Sequence, residues 1–149
     1  SIFHEPLEKY SSPGARVMVL NDQVLPGYPL LLQMGRKPGS GFLCGRLLFI
    51  THKIRHSKPV EMWRRTVLGE DYVYQNLIRD IRDKKSKLII INHDTMAPVL
   101  EEKKIIALIK ENYEPVSNFD WYQKNWQVEY PDLEYLGYKT SLEIFKRKD

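Results

Sequence analysis

The stretch Lys87–Lys110, KLIIINHDTMAPVLEEKKIIALIK, decides how the chain is read, because two strongly apolar runs face each other across a short polar link. Leu88, Ile89, Ile90 and Ile91 form an unbroken run rich in β-branched residues, the pattern of a strand buried on both faces. Ile105, Ile106, Ala107, Leu108 and Ile109 repeat it. A helix through the second run is disfavoured, since Pro98 blocks an early start and consecutive apolar residues would cover most of the helix circumference. The expectation is therefore two central strands joined by His93–Lys104.

Immediately upstream the period changes. Over Gly69–Lys85, Tyr74, Leu77, Ile78 and Ile81 fall at i, i+3, i+4 and i+7, which predicts a helix. Its ends agree with its middle: Glu70 and Asp71 lie where the helix dipole favours anions, Lys84 and Lys85 where it favours cations. The four apolar residues are expected to pack against Ile89, Ile91, Ile106 and Leu108.

Ser1–Gly14 offers no period and several breakers, and reads as an irregular lead-in. Arg16–Leu20 is a short strand, followed by turn signals at Asn21-Asp22 and Pro26-Gly27 and a second strand over Tyr28–Met34, with Pro29 suited to an edge. Gly35–Gly41 is a loop. Phe42–Ile50 reads as a central strand carrying Arg46, and Thr51–His56 as its continuation out of the core, with Thr51, Lys53 and Arg55 on the outer face. Val60–Leu68 reads as a further strand, Asn112–Asn118 as a loop, Gln127–Tyr130 as strand-like, Glu134–Phe145 as a closing strand and Lys146–Asp149 as a frayed basic tail. The pattern predicts an α+β fold: a mainly antiparallel sheet or partly open barrel of about six to eight strands, with one well-defined helix at 69–85. Residues 1–14 would be the lead-in and 15–149 one globular domain.

With 149 residues, 42% hydrophobic and 28% charged, the chain suits one core and leaves little room for a second. No run approaches the roughly 18 apolar residues that span a bilayer. The opening SIFHEPLEKY carries acids and a proline where a secretory signal carries a basic start and an apolar block. The single Cys44 excludes an internal disulfide, so a cytoplasmic or nuclear setting is expected. The net charge of +4 is unevenly placed, at +6 over residues 1–65 and −2 over 66–149. The excess collects at Arg36, Lys37, Arg46, Lys53, Arg55, Lys58, Arg64 and Arg65, with Glu61 the only acid among them.

Several constellations invite chemistry. Cys44, His52 and His56 are potential zinc ligands, but on a strand residues four apart are separated by roughly 13 Å, too far to share one ion with bonds of about 2 Å. Asn92-His93-Asp94 after a buried strand resembles one fragment of the metallophosphoesterase pattern, whose other acidic motifs are missing; turn chemistry explains it equally well. Asp94 with Glu102 and Lys104 resembles the restriction-type nuclease core, which implies two carboxylates on a divalent ion and a lysine assisting the attacking water. No serine or cysteine nucleophile lies in a recognisable motif and the glycines form no phosphate loop. The expectation is no metal, no cofactor and a non-catalytic module. Cations interleaved with an aromatic, at Lys53, Arg55, Lys58, Trp63, Arg64 and Arg65, point to nucleic acid, RNA ahead of DNA because nothing resembles a groove-entering helix. Tyr122–Leu136, YQKNWQVEYPDLEYL, is similar to the helix-to-strand segment of the PAZ domain, a resemblance that implies binding of small-RNA ends and covers a tenth of the chain. The competing expectation is an assembly domain whose basic face meets an acidic protein or another copy.

Overall fold

A computed structural model describes residues 4–21, 27–40, 48–49, 52–53, 56, 60–122 and 139–149, the side chains at 27–29, 60–70, 119, 121–122 and 139–140 excepted. In chain order the elements are α1 (His4–Tyr10), β1 (Arg16–Leu20), α2 (Gly27–Gln33), β2 (Lys37–Pro38), α3 (Val60–Arg82), β3 (Leu88–Asn92), α4 (His93–Glu102), α5 (Ile105–Asn112), β4 (Tyr113–Tyr122) and β5 (Lys139–Arg147). Leu48, Phe49, His52, Lys53 and His56 are also helical. Among the described residues no helix is long and apolar enough to cross a membrane.

The first apolar run is a strand, as its pattern predicts: all five residues of β3 are buried. It lies third in a five-stranded sheet of order β2-β1-β3-β5-β4. β1 is parallel to β2 and to β3, with Met18 opposite Ile89 and Leu20 opposite Ile91; β5 runs antiparallel to β3 and β4. Helices cover both faces. On one, Met18, Leu20, Ile89, Ile91 and Phe145 meet Val73, Tyr74, Leu77 and Ile81 of α3, Met96, Val99 and Leu100 of α4, and Ile105 and Ile109 of α5. On the other, Val17, Leu88, Ile90, Leu142 and Ile144 meet Leu7 of α1 and Leu30 and Leu31 of α2. A strand sandwiched this way is apolar at consecutive positions rather than alternate ones.

The stripe on α3 therefore packs where its period places it, with Ile78, Ile106 and Leu108 half-buried at its margin. The rest of the expected architecture changes. Among the described residues the sheet is open and mixed, with five strands, neither a barrel nor mainly antiparallel. The helix expected at 69–85 starts at Val60 and ends at Arg82, which removes the strand read at Val60–Leu68. Ile105–Ile109 is helical because only Ile105 and Ile109, one turn apart, enter the core while Ala107 and Lys110 face outwards. The link before it is helical despite Pro98. Asn92 caps this helix, accepting at its side-chain oxygen from Asp94 N and Thr95 N, and Met96, Val99 and Leu100 are buried at i, i+3 and i+4. Burying three such side chains at about 1.5–3 kcal/mol each outweighs the roughly 3 kcal/mol an interior proline costs. Tyr28–Met34, read as a strand, is largely α2. The presumed loop Asn112–Asn118 mostly belongs to β4, and the supposed tail begins inside β5. The presumed lead-in holds α1, whose Leu7 is fully buried. The strands read at Phe42–Ile50 and Thr51–His56 are replaced by helix wherever those residues are described; Gln127–Tyr130 lies outside the described residues.

Arg36, counted from sequence with the surface cations, is buried. Its guanidinium donates to the carbonyls of Leu7 and Ser11 at the end of α1, to Met34 just after α2, and to Ser11 Oγ. A cation there complements the negative carboxyl ends of two helices and adds a further donor to the Leu7 carbonyl, which already accepts from Ser11 N. The sheet's outer strands are also marked: β2 is two residues long and ends in Pro38, while β4 carries Pro115 beside an irregularity in its pairing with β5.

Tyr113, the first residue of β4, is fully buried and donates its hydroxyl to the Ser86 carbonyl at 3.0 Å. Burial pushes its phenol up from 10.0 to about 12, against the opposing charge of Arg147. A proton held more tightly in the folded chain stabilises fully below the unfolded value and is lost as pH rises through the folded one. Stability should therefore fall between pH 10 and about 12, with Tyr113 contributing roughly 2–3 kcal/mol of the loss. Urea melts at about pH 9 and about pH 11.5 should show that slope flattened in Tyr113→Phe; an undiminished slope would assign it to another group.

Candidate functional site

At the carboxyl ends of β1 and β3 the chain departs in opposite directions, from β1 through α2 to the β2 edge and from β3 through α4 and α5 to the β4 edge. Such a divergence leaves a crevice where ligands of open α/β sheets bind. Two buried amides mark it here: Asn21 directly follows β1, Asn92 ends β3, and Asn92 Nδ2 donates to Asn21 Oδ1 at 2.8 Å. Since the Asn92 oxygen also caps α4, one side chain ties the two strand ends together and aims the helix.

The next two residues are held by β5. His93 Nε2 pairs with Glu143, and Asp94 Oδ2 accepts from Ser141 N at 2.7 Å. The Asn92-His93-Asp94 triplet thus serves as helix cap and sheet clamp.

Along α4, Asp94, Pro98 and Glu102 recur every four residues and share one side of the helix. Phe49, His52, Lys53 and His56 recur at i, i+3, i+4 and i+7, the period of a second helical stripe. Between the stripes lies a cleft of about 510 Å³, lined by Phe49, His52, Lys53, His56, Asp94, Thr95 and Pro98. Its volume falls within the roughly 300–1,000 Å³ of small-molecule sites. Thr95 Oγ1 is buried there without a hydrogen-bond partner. The Lys53 ammonium sits 4.7 Å from the centre of the Phe49 ring. At one end Glu102 Oε2 lies 2.7 Å from His52 Nδ1 and 3.1 Å from His56 Nε2.

Of the cations and aromatic assigned from sequence to a nucleic-acid face, Lys53 is exposed and lines this cleft. Trp63, Arg64 and Arg65 stand on the first turns of α3, so the strand hairpin that would have set them beside Lys53 does not exist; Arg55 and Lys58 lie outside the described residues, as does Cys44. Asp94 and Glu102 stand at opposite ends of α4, about 12 Å apart along its axis, and Lys104 starts α5 in the left-handed region, so these three do not form the strand-borne nuclease arrangement. Sequence reasoning missed Asn21, Thr95 and the meeting of Glu102 with the two histidines. The available signal was the helical period of Phe49, His52, Lys53 and His56, which competes with an alternation of Ile50, His52, Ile54 and His56 that a strand explains as well. No family model matches the chain, and neither curated proteins nor solved structures contain a match to it.

Proposed function

We propose that the chain is a binding module for an anionic ligand of about nucleotide size, seated in the cleft between Phe49, His52, Lys53 and His56 and the first turns of α4. The observation that carries this reading is Thr95 Oγ1, a buried hydroxyl without a partner, lining a cleft beside the carboxyl end of β3. A buried polar group left unpaired costs about 1–3 kcal/mol, and a ligand oxygen would recover it. The Lys53 ammonium favours negative charge and Phe49 offers an aromatic face, while the Asp94 carboxylate on the same wall is engaged by Ser141 N.

A second reading, nucleic acid with RNA before DNA, draws support from the +6 carried by the first 65 residues, an excess larger than one small ligand needs. In it Lys53, Arg55, Lys58, Trp63, Arg64 and Arg65 contact the strand and the cleft takes one nucleotide. The two readings separate in one pair of measurements, calorimetry with adenosine monophosphate and filter binding of a short single-stranded RNA at two salt concentrations. The first expects the mononucleotide to bind and Thr95→Val to weaken it about tenfold, near the value of one hydrogen bond to a charged group. The second expects RNA affinity falling log-linearly with salt and abolished by Lys53→Glu at unchanged thermal stability. If neither probe binds, both readings fail and an acidic protein partner or a second copy of the chain becomes the better description.

A further inference from the structure

We propose that His52, His56 and Glu102 form a site for one divalent transition-metal ion, zinc by preference, at the end of the cleft. A ring nitrogen of each histidine and a carboxylate oxygen of Glu102 all lie within 4.8 Å of one another. The strand geometry that forbade this pairing does not apply. Both histidines are helical, and side chains four apart on a helix stand about 5–6 Å apart at Cβ, the spacing used where two histidines of one helix hold a zinc ion.

His52 Nδ1 is the second observation. It is buried and makes no hydrogen bond, although Glu102 Oε2 is only 2.7 Å away. A buried ring nitrogen this close to a carboxylate without a hydrogen bond between them is an arrangement a cation relieves. Two imidazoles and one carboxylate make a donor set that zinc accepts at about 2.0–2.2 Å, and among divalent ions such nitrogen-rich sites prefer the later first-row metals to magnesium or calcium. Ligand atoms around a tetrahedral ion stand roughly 3.3 Å apart. His52 and Glu102 would open slightly and the two imidazoles draw together, rotations that half-exposed Glu102 and exposed His56 allow.

Three protein ligands leave a fourth position, and since both histidines line the cleft it faces the cleft. In zinc peptidases that share the His-x-x-x-His spacing, the residue after the first histidine is a glutamate acting as general base; here it is Lys53, which cannot take that proton. The ion's role is therefore to bind, fixing the segment around His52 to α4 and presenting one open coordination position. The inference stands on side-chain geometry alone and survives the loss of either ligand reading above.

Calorimetric titration of the chelator-treated chain with zinc chloride tests it. One ion per chain is expected, with affinity reduced about tenfold or more in His52→Ala, in Glu102→Gln and in His56→Gln. His56 is 57% exposed, so His56→Gln separates ligation from folding. Its melting temperature without metal should equal the parent's while the zinc-induced rise shrinks clearly. His4→Gln, in α1 on the other side of the sheet, should bind as the parent does. Cobalt substitution should give the visible absorption of a four- or five-coordinate ion. No binding, or equal affinity in the parent and His56→Gln, would overturn the site and leave Glu102 as an ion-pair partner of the two imidazoles.

Discussion

Ile81→Asp is expected to leave the chain unfolded at room temperature. Ile81 is fully buried on α3, in the cluster that holds Leu77, Ile89, Ile91, Ile105 and Ile109. The substitution removes about 1.5–3 kcal/mol of apolar burial and sets a carboxylate where nothing solvates it, adding several kcal/mol or the equivalent cost of holding it protonated. Against a typical total stability of about 5–15 kcal/mol, the sum approaches or exceeds what the fold has. Arg82→Gln, one residue on and exposed, should stay within roughly 0.5 kcal/mol of the parent. Thermal melts by circular dichroism compare the two, and an Ile81→Asp variant melting with its parent would mean that α3 does not pack on β3.

Gly39→Ala should also destabilise strongly, through steric overlap rather than charge. Gly39 follows β2 and donates its N–H to the Val17 carbonyl at 2.8 Å, holding the outer strand against β1. A methyl group there would stand 2.1 Å from Ser86 Oγ, 2.6 Å from Met18 N and 2.8 Å from Val17 C. Ser86 can rotate away, but the backbone of β1 is fixed by parallel pairing on both sides. Overpacking of this kind costs about 1–3 kcal/mol when neighbours can yield and more when they cannot. The midpoint of urea unfolding should therefore drop clearly; no shift would mean that β2 lies farther from β1.

What the sequence revealed and what it hid divide along physical lines. β1 and β3 were legible because strands covered on both faces are apolar at every position, and the α3 stripe because four residues over two turns leave few alternatives. Helices α4 and α5 were not, since each is short, enters the core at a few positions and is flanked by other apolar residues. A run such as Ile105–Ile109 carries no period of its own, and the Lys104 backbone at φ 56° that starts α5 leaves no mark in composition. Misreading these two helices as strand and link is what turned a mixed sheet into an antiparallel one. The same ambiguity hid the site. His52 and His56 are about 13 Å apart on a strand and neighbours on a helix, so their chemistry depended on a local conformation that alternating isoleucines disguised. The sequence sets Glu102 beside Asp94, which shares its side of α4 but stands two turns away, and Lys104, which starts the next helix. Arg36 shows the converse error, a cation counted with the surface whose donors are consumed by helix ends.

The prolines on the two outer strands bear on how the chain behaves in a crowd. A β-branched, uncharged segment such as Leu88–Ile91 is the kind that stacks into cross-β fibrils once it is free to pair with copies of itself. Among the described residues it is third of five strands, with β2 and β4 on the outside. Proline offers no backbone donor, so Pro38 on the two-residue β2 and Pro115 beside the β4 irregularity each remove a rung from the ladder that an incoming strand would need. The hazard thus lies in the unfolded chain rather than the folded one, and substitutions that loosen α3 or α4 should show themselves as loss of soluble protein before loss of binding.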